Sequence, residues 1–326
     1  MARPTRTPLA WRLAFLYGAL FLIVGCYLPY MPVWLHWRGV DEDAIGFLLA
    51  VPLFARVLFT PIISFVSDRT QARRGVLVAL SWLSLGSFVL LWLAGGTAHL
   101  FVAMLLLALS WTSIMPLIEA VAVSAIRTAR LHYGRVRLWG SGTFILASFG
   151  SGIAIGAFGS WIVLPILVAG TTLMIVGVHL LPRNVGGQPA ISPARRIRLA
   201  DAIDLARSPQ FLLFLLAASA IQASHAVYYT FGTLNWREQG FSDATIGALW
   251  AIGVIAEIAL FAISDRVLAA LGATRLLLAA AAGAVVRWAL MAGDPSLLAT
   301  AVLQGLHAFT FGAAHLAAIY FLTHAV

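Results

Sequence analysis

Read for alternation of apolar and polar positions, the chain is a series of long hydrophobic runs broken by short polar links. The runs fall at about 9–35, 44–66, 75–95, 99–126, 138–158, 161–181, 210–235, 245–264, 275–293 and 296–322. Each is near the roughly 20 residues that carry an α-helix across a bilayer. Ten spans and no alternating strand pattern predict an all-α membrane protein. One long polar interruption, Pro182 to Pro209, follows the sixth span and holds Gly, Pro, Ser and a short basic amphipathic stretch. It reads as a cytoplasmic linker lying on the membrane surface. The expected organisation is therefore a bundle over 1–181, a linker over 182–209 and a second bundle over 210–326. The basic start resembles the charged region of a signal peptide. However, no small-residue cleavage site follows and the apolar run is too long, so the first span is expected to be retained.

Composition sharpens this picture. The chain is 61% hydrophobic and 10% charged, against about 25% charged for a soluble domain. Its net charge of +9 comes from 21 basic residues, all Arg. Seventeen of them (3, 6, 12, 69, 73, 74, 127, 130, 135, 137, 183, 195, 196, 198, 207, 266 and 275) fall on one side of the membrane. Arg38 and Arg237 fall on the other, with Asp41, Glu42, Asp43, Glu238, Asp243 and Asp294. This positive-inside bias predicts a cytoplasmic N-terminus, and it explains the basic excess without nucleic acid. The lone Cys26 excludes a disulfide framework.

The two halves share a pattern. RGVDEDAIGFLL follows the first span and QGFSDATIGALW the seventh, each with Ile-Gly six residues after a loop glycine (Gly39 and Gly240). The following spans end in Ser67-Asp68-Arg69 and Ser264-Asp265-Arg266 after a small difference in length. At the common offset, Arg56 falls on Glu257. By helical rise, Arg56 is roughly 18 Å above Asp68 and Glu257 roughly 12 Å above Asp265. Parallel six-span repeats build one large class of transporters.

Specific segments carry a resemblance: HYGRVRLWGS at 132–141, QASHAVYYTF at 222–231, GFSDATIGALWAIGVIAEI at 240–258, VVRWALM at 285–291 and LQGLHAFTFGAAHLAA at 303–318. Over its whole length the chain resembles the major facilitator superfamily. Within it, the sequence is similar to the phenylpropionic acid permease group, related to the nucleoside and oligosaccharide proton symporters. The general signature between spans two and three is weaker, because Ser64 and Gln71 replace its usual glycines in SFVSDRTQARR. The resemblance implies two pseudo-symmetric six-helix bundles, with the second truncated after the tenth span, and a monomer working by alternating access. It also implies a cavity lined by spans one, four, seven and ten.

Four ionisable groups inside the spans are then the main functional candidates, because a charge in hydrocarbon needs a partner or a watery path. Arg56, whose own helix lacks an acid, suits bidentate recognition of a substrate carboxylate. The alternative is a partner in span eleven. Glu257 is expected to carry the coupled proton, or to form a static pair with Arg287, itself expected to be a structural partner. Glu119 comes just after Pro116, whose missing amide removes one helix hydrogen bond and suggests a broken helix of the kind that marks binding sites. Near the arginines at 135 and 137, it is a second coupling acid, similar to the lactose-permease arrangement of an acid on span four facing an Arg on span five. Tyr27 and Tyr30 of span one, Gln222, His225 and Tyr229 of span seven, and Gln304 and His307 of span ten are expected to contact substrate. His315 continues the tenth-span stripe as a proton relay. Aromatic core packing is the competing account of these clusters. Asp68, Arg69, Asp265 and Arg266 are expected to act at the cytoplasmic gate. The small residues Ser148, Gly152, Gly156 and Ser160 form a helix-packing ridge.

No phosphate-binding Gly-rich loop, CxxC, HExxH or GxSxG occurs, so neither ATP-driven transport nor hydrolysis is indicated. No cofactor or metal is expected. The resulting expectation is proton-coupled uptake of a small aromatic carboxylate across the lipid bilayer. A nucleoside or sugar symporter is the alternative, and a non-transporting sensor or inactive truncated product is the alternative of another class.

Overall fold

The structure, a computed structural model, describes residues 6–70, 72–129, 131–182, 205 and 207–324. Every element among them is helical, as a bilayer requires, because helices satisfy their backbone groups internally. Ten helical spans are long and apolar enough to cross a membrane: Pro8–Trp37, Glu42–Thr70, Arg73–Leu93, Thr97–Ala125, Tyr133–Phe158, Ser160–Leu180, Pro209–Glu238, Asp243–Ala262, Ser264–Met291 and Leu297–Thr323. The fifth span starts five residues earlier than the hydropathy suggested, which brings Arg135 and Arg137 into the helix. The ninth starts at Ser264 and bends at Gly272, whose φ of 68° is left-handed. Most of the predicted surface linker, residues 183–204 and 206, lies outside the described residues.

Two compact units divide the chain, residues 1–189 and 190–326. In the first, span one packs on spans five and six, span two on span four, and span three on spans four and six. An added Cβ at Gly25 would lie 2.7 Å from the Phe144 carbonyl, so glycine sets how closely spans one and five approach. Of the predicted small-residue ridge, Ser148, Gly152 and Ser160 are buried and Gly156 is exposed. In the second unit, spans eight and nine pack on span ten, and span seven on span nine. Its core is rich in alanine (Ala280, Ala308, Ala313, Ala314, Ala317) around Leu260 and Leu276. Small residues let helices associate in lipid, where burial of apolar surface offers little drive.

The repeat glycines have a common structural cause. Gly39 and Gly240 adopt φ of 77° and 83°. Their amides bond the His36 and Arg237 carbonyls, and the next residue's amide reaches back to Leu35 and Trp236. This pair of bonds is the Schellman ending of a helix, which needs a left-handed residue. Two residues on, Asp41 accepts from the Ala44 amide and Ser242 from the Thr245 amide, starting the next span. The repeated sequence thus encodes the same stop-and-start in each half.

Helix interruptions fall elsewhere than proline suggested. The fourth span runs unbroken through Pro116. The Thr112 carbonyl, which Pro116 cannot serve, lies 3.5 Å from the Thr60 hydroxyl of span two. Among the described residues the breaks are instead in span seven, at Ser224 and His225, in span nine at Gly272, and in span ten, where Ala308–Ala313 form a π-helical segment after a turn at Leu306. π-segments often accompany functional sites.

Candidate functional site

In the first unit a carboxylate is the centre. Glu119 accepts hydrogen bonds from the hydroxyls of Tyr17 and Tyr133, both 2.8 Å from the same oxygen. Its other oxygen is 3.5 Å from Arg137 Nε. The Arg137 guanidinium lies 4.1 Å from the Phe21 ring centroid and 5.7 Å from that of Tyr17. Arg137 Nη1 is buried without a hydrogen-bond partner, a donor left over after Glu119 is served. Of the two arginines expected near Glu119, Arg137 is engaged and Arg135 is exposed. Tyr17 and Tyr133 were not foreseen. Nothing in local spacing connects them to Glu119, since they lie 102 and 14 residues away.

In the second unit a cation is the centre. Arg287 is fully buried, yet it was expected to pair directly with Glu257. Its guanidinium donates instead to Gln304 Oε1 (2.6 Å), Thr310 Oγ1 (3.0 Å) and His307 Nδ1 (3.3 Å). The carboxylate is reached through the imidazole: His307 Nε2 is 3.9 Å from Glu257 Oε2. The reason is steric and electronic. Span ten inserts its π-segment between spans eight and nine, and the charge is cushioned by the rings of Trp288 and Tyr228, with centroids at 4.5 and 5.0 Å. A guanidinium over an aromatic face gains attraction without an anion. Arg287 Nε remains buried without a partner. An added Cβ at Gly312 would lie 3.3 Å from Glu257 Cγ and 3.2 Å from Leu260 Cδ2, so glycine admits the acid against the π-segment.

Around Arg287 the expected residues separate. Gln304 is buried and oriented, its amide donating to Tyr228 Oη (2.7 Å) and the Leu249 carbonyl (3.1 Å). His225, at the break in span seven, is buried, with Nδ1 2.9 Å from the Ile221 carbonyl and Nε2 3.2 Å from Thr310 Oγ1. Tyr229 is half-buried beside the His225 and Trp250 rings. Gln222 and His315 are exposed. The His307, Phe311 and His315 rings stack in a column, with interplanar angles of 13° and 9°. Thr310, Trp288 and Trp250 were missed. At α-helical spacing Thr310 would point about 120° away from Gln304, and the π-turn alters that register.

Other predicted residues lie apart from both centres. Tyr30 is fully buried and donates to the Ser148 carbonyl at 3.0 Å, and Tyr27 meets Phe88 edge-on. Arg56 is exposed between Leu53, Phe54, Val57 and Leu58, all themselves exposed. Among the described residues it has no hydrogen-bond or ion-pair partner. Asp68 pairs with Arg73 at 2.7 Å, while Arg69, Asp265 and Arg266 lie at helix ends, the two arginines exposed.

Known proteins bear on these centres. The model of the MFS_1 like family matches residues 10–326. The probable 3-phenylpropionic acid transporter of Escherichia coli K12 is 33% identical over 95% of this chain and 81% of its own length. The maltose permease of Geobacillus stearothermophilus is 27% identical over 93% and 75%. The crystal structure of the nucleoside transporter NupG superposes with a TM-score of 0.83 at 18% identity, covering 98% of this chain and 83% of that one. All three are transporters and none is an enzyme. A family match over nearly the whole sequence, with ten membrane-length helices, shows that this multi-pass membrane protein belongs to the MFS_1 like family of major facilitator secondary transporters.

Proposed function

We propose that the protein takes up a small aromatic carboxylate together with a proton, as a monomer in the inner membrane with its N-terminus in the cytoplasm. The observation that carries this reading is a surplus of cation. Inside the spans, Glu119 is engaged by Arg137 and Glu257 faces His307 beside Arg287. Among the described residues Arg56 is left with no acid. A guanidinium in that position suits a substrate carboxylate, which it binds bidentately. The 33% identity to a probable 3-phenylpropionic acid transporter supports the same chemistry.

In the cycle this reading gives, Arg56 holds the anion, while Tyr27, Tyr229 and Gln222 offer aromatic and polar contacts. Glu257 takes the proton, with His307 as its neighbour and Glu119 and His315 as further stations. Loading both ligands neutralises the charges that oppose a change of access. Asp68, Arg69, Asp265 and Arg266 hold the cytoplasmic ends in one state. Protonophore-sensitive uptake of labelled 3-phenylpropionate by cells expressing the protein tests this, with Arg56→Gln expected to abolish it. Full uptake by that variant overturns the carboxylate anchor. Glu257→Gln is expected to retain exchange but lose proton-driven accumulation.

The maltose permease likeness favours a second reading, a sugar or nucleoside symporter. There the Glu119–Arg137 pair would bind hydroxyls and Arg56 would be dispensable. Competition between unlabelled sugars, nucleosides and 3-phenylpropionate separates the two.

A further inference from the structure

We propose that Arg287 and the Ile221 carbonyl, joined through Thr310 as a positioning residue, hold the two buried imidazoles of His225 and His307 in opposite tautomers and so turn the His307 N–H toward Glu257. The argument is one of donors and acceptors. A guanidinium only donates, a carbonyl only accepts, and a hydroxyl has one proton to give. Arg287 Nη1 donates to Thr310 Oγ1 at 3.0 Å, so the threonine proton is free to go elsewhere. His225 Nε2 lies 3.2 Å from that hydroxyl and accepts the proton when the ring is neutral and its own hydrogen is on the other nitrogen. The other nitrogen, Nδ1, lies 2.9 Å from the Ile221 carbonyl and must carry the hydrogen. His225 is therefore the Nδ1–H tautomer.

At His307 the logic reverses. Arg287 Nη1 lies 3.3 Å from Nδ1, which must be the bare nitrogen. The hydrogen is then on Nε2, the atom that faces Glu257 Oε2 at 3.9 Å. One guanidinium nitrogen thus sets His307 directly, and at His225 it acts through the Thr310 hydroxyl together with the Ile221 carbonyl. Arg287, Thr310 and Gln304 are fully inaccessible to solvent and His225 is 1% exposed, so water cannot substitute for a missing partner. The π-segment matters here, because it brings Thr310 onto the side of span ten that carries Gln304 and His307. Ser224, next to His225, is tied in by the Trp288 indole at 2.8 Å. The consequence for transport rests on the reading of Glu257 as the proton carrier; the tautomer lock does not.

The test uses the full chain in lipid bilayers, with ¹⁵N-labelled histidine read by solid-state NMR. His225→Asn and His307→Asn serve only to assign the two signals. The native protein is expected to show two neutral rings of opposite tautomer. Thr310→Val removes the donor to His225 Nε2 that the described residues supply. The Ile221 carbonyl still holds the hydrogen on Nδ1, so the bare Nε2 signal is expected to move to the position of a nitrogen that accepts no hydrogen bond, while Thr310→Ser keeps the native signal. The proposal is overturned if the native rings share one tautomer, if Val leaves the His225 signal unchanged, or if Ser behaves like Val. As a second readout, proton-driven accumulation of 3-phenylpropionate should fall about tenfold in Thr310→Val, as expected for one buried hydrogen bond, with KM nearly constant. Thr310→Ser should stay within about twofold of native. Accumulation equal to native in Thr310→Val would remove the link to coupling. Absence of uptake by the native protein would instead sink the transport reading and leave the NMR result to decide the lock.

Discussion

The two units bury charge with opposite sign. The first surrounds one carboxylate, Glu119, with donors: two phenols and a guanidinium. The second surrounds one guanidinium, Arg287, with acceptors and ring faces, and keeps its carboxylate one imidazole away. The difference lies in what each centre tolerates. An acid can be replaced by an amide of the same shape that still accepts both phenols. No side chain reproduces a planar fork that donates to three residues while lying against two rings. Exposure follows the same division: Glu119 and Arg137 are each a little over one quarter exposed, whereas Arg287 is fully buried. The first centre is accessible and exchangeable, and the second is a fixed scaffold beside an acid.

The strongest way to break this comparison is Arg287→Lys. The charge survives, but one ammonium cannot serve Gln304, Thr310 and His307 together, and stacking on Trp288 is lost. Leaving two buried acceptors unserved at about 1–3 kcal/mol each, the variant should lose about 3 kcal/mol in equilibrium unfolding in mixed micelles. A loss below about 1 kcal/mol would show that the site relaxes freely and is no scaffold. Glu119→Gln should cost less, about 1–2 kcal/mol, since the amide oxygen still accepts both phenols and only the part-exposed contact with Arg137, which an NH2 cannot accept, disappears. Equal losses for the two variants would erase the distinction.

Much of this architecture was legible in the sequence, and the limits have physical causes. Hydropathy period and length located all ten spans, and the Gly39 and Gly240 loops were visible because a left-handed helix ending demands glycine. Charge in an apolar context singled out Glu119, Glu257 and Arg287. Their partners were not legible. Tyr17 meets Glu119 across 102 residues, a contact that helix packing makes and local spacing does not encode. Thr310 was hidden because a stripe read at 3.6 residues per turn fails across a π-segment. Pro116 marked a break that did not form, because Thr60 attends the carbonyl it leaves unserved. His225 and Tyr30 were read as cavity groups, yet their polar atoms are engaged within the core, by the Ile221 carbonyl and Thr310 for one and the Ser148 carbonyl for the other.

A finer probe separates the phenols within the first centre. Tyr17→Phe and Tyr133→Phe each remove one hydrogen bond to Glu119, and such contacts between membrane helices average about 0.6 kcal/mol with a ceiling near about 1.7. Tyr17 joins spans one and four and should lie nearer the ceiling, and Tyr133, being more exposed, nearer the mean. Because both use one oxygen, the remaining phenol partly compensates for the loss of the other, so the double variant should cost more than the sum, read as a coupling energy in a double-mutant cycle. Strict additivity would mean that the phenols act independently and that Glu119 is not a shared centre.

The smallest effect belongs to a charge pair outside both centres. Asp68 and Arg73 meet at 2.7 Å, but the aspartate side chain is 61% exposed. Water competes for both groups and salt screens them, so a pair of this kind contributes about 0.2–1 kcal/mol. Asp68→Asn should therefore shift unfolding by less than the Tyr17 variant does, and the shift should shrink as salt rises from about 0.05 to about 0.5 M. The Arg287 centre should show no such salt dependence, because it is fully buried and mobile ions do not enter it. A loss at Asp68 as large as that at Glu119 would mean that exposure does not govern the worth of these contacts, and the contrast between the units would then need a cause other than burial.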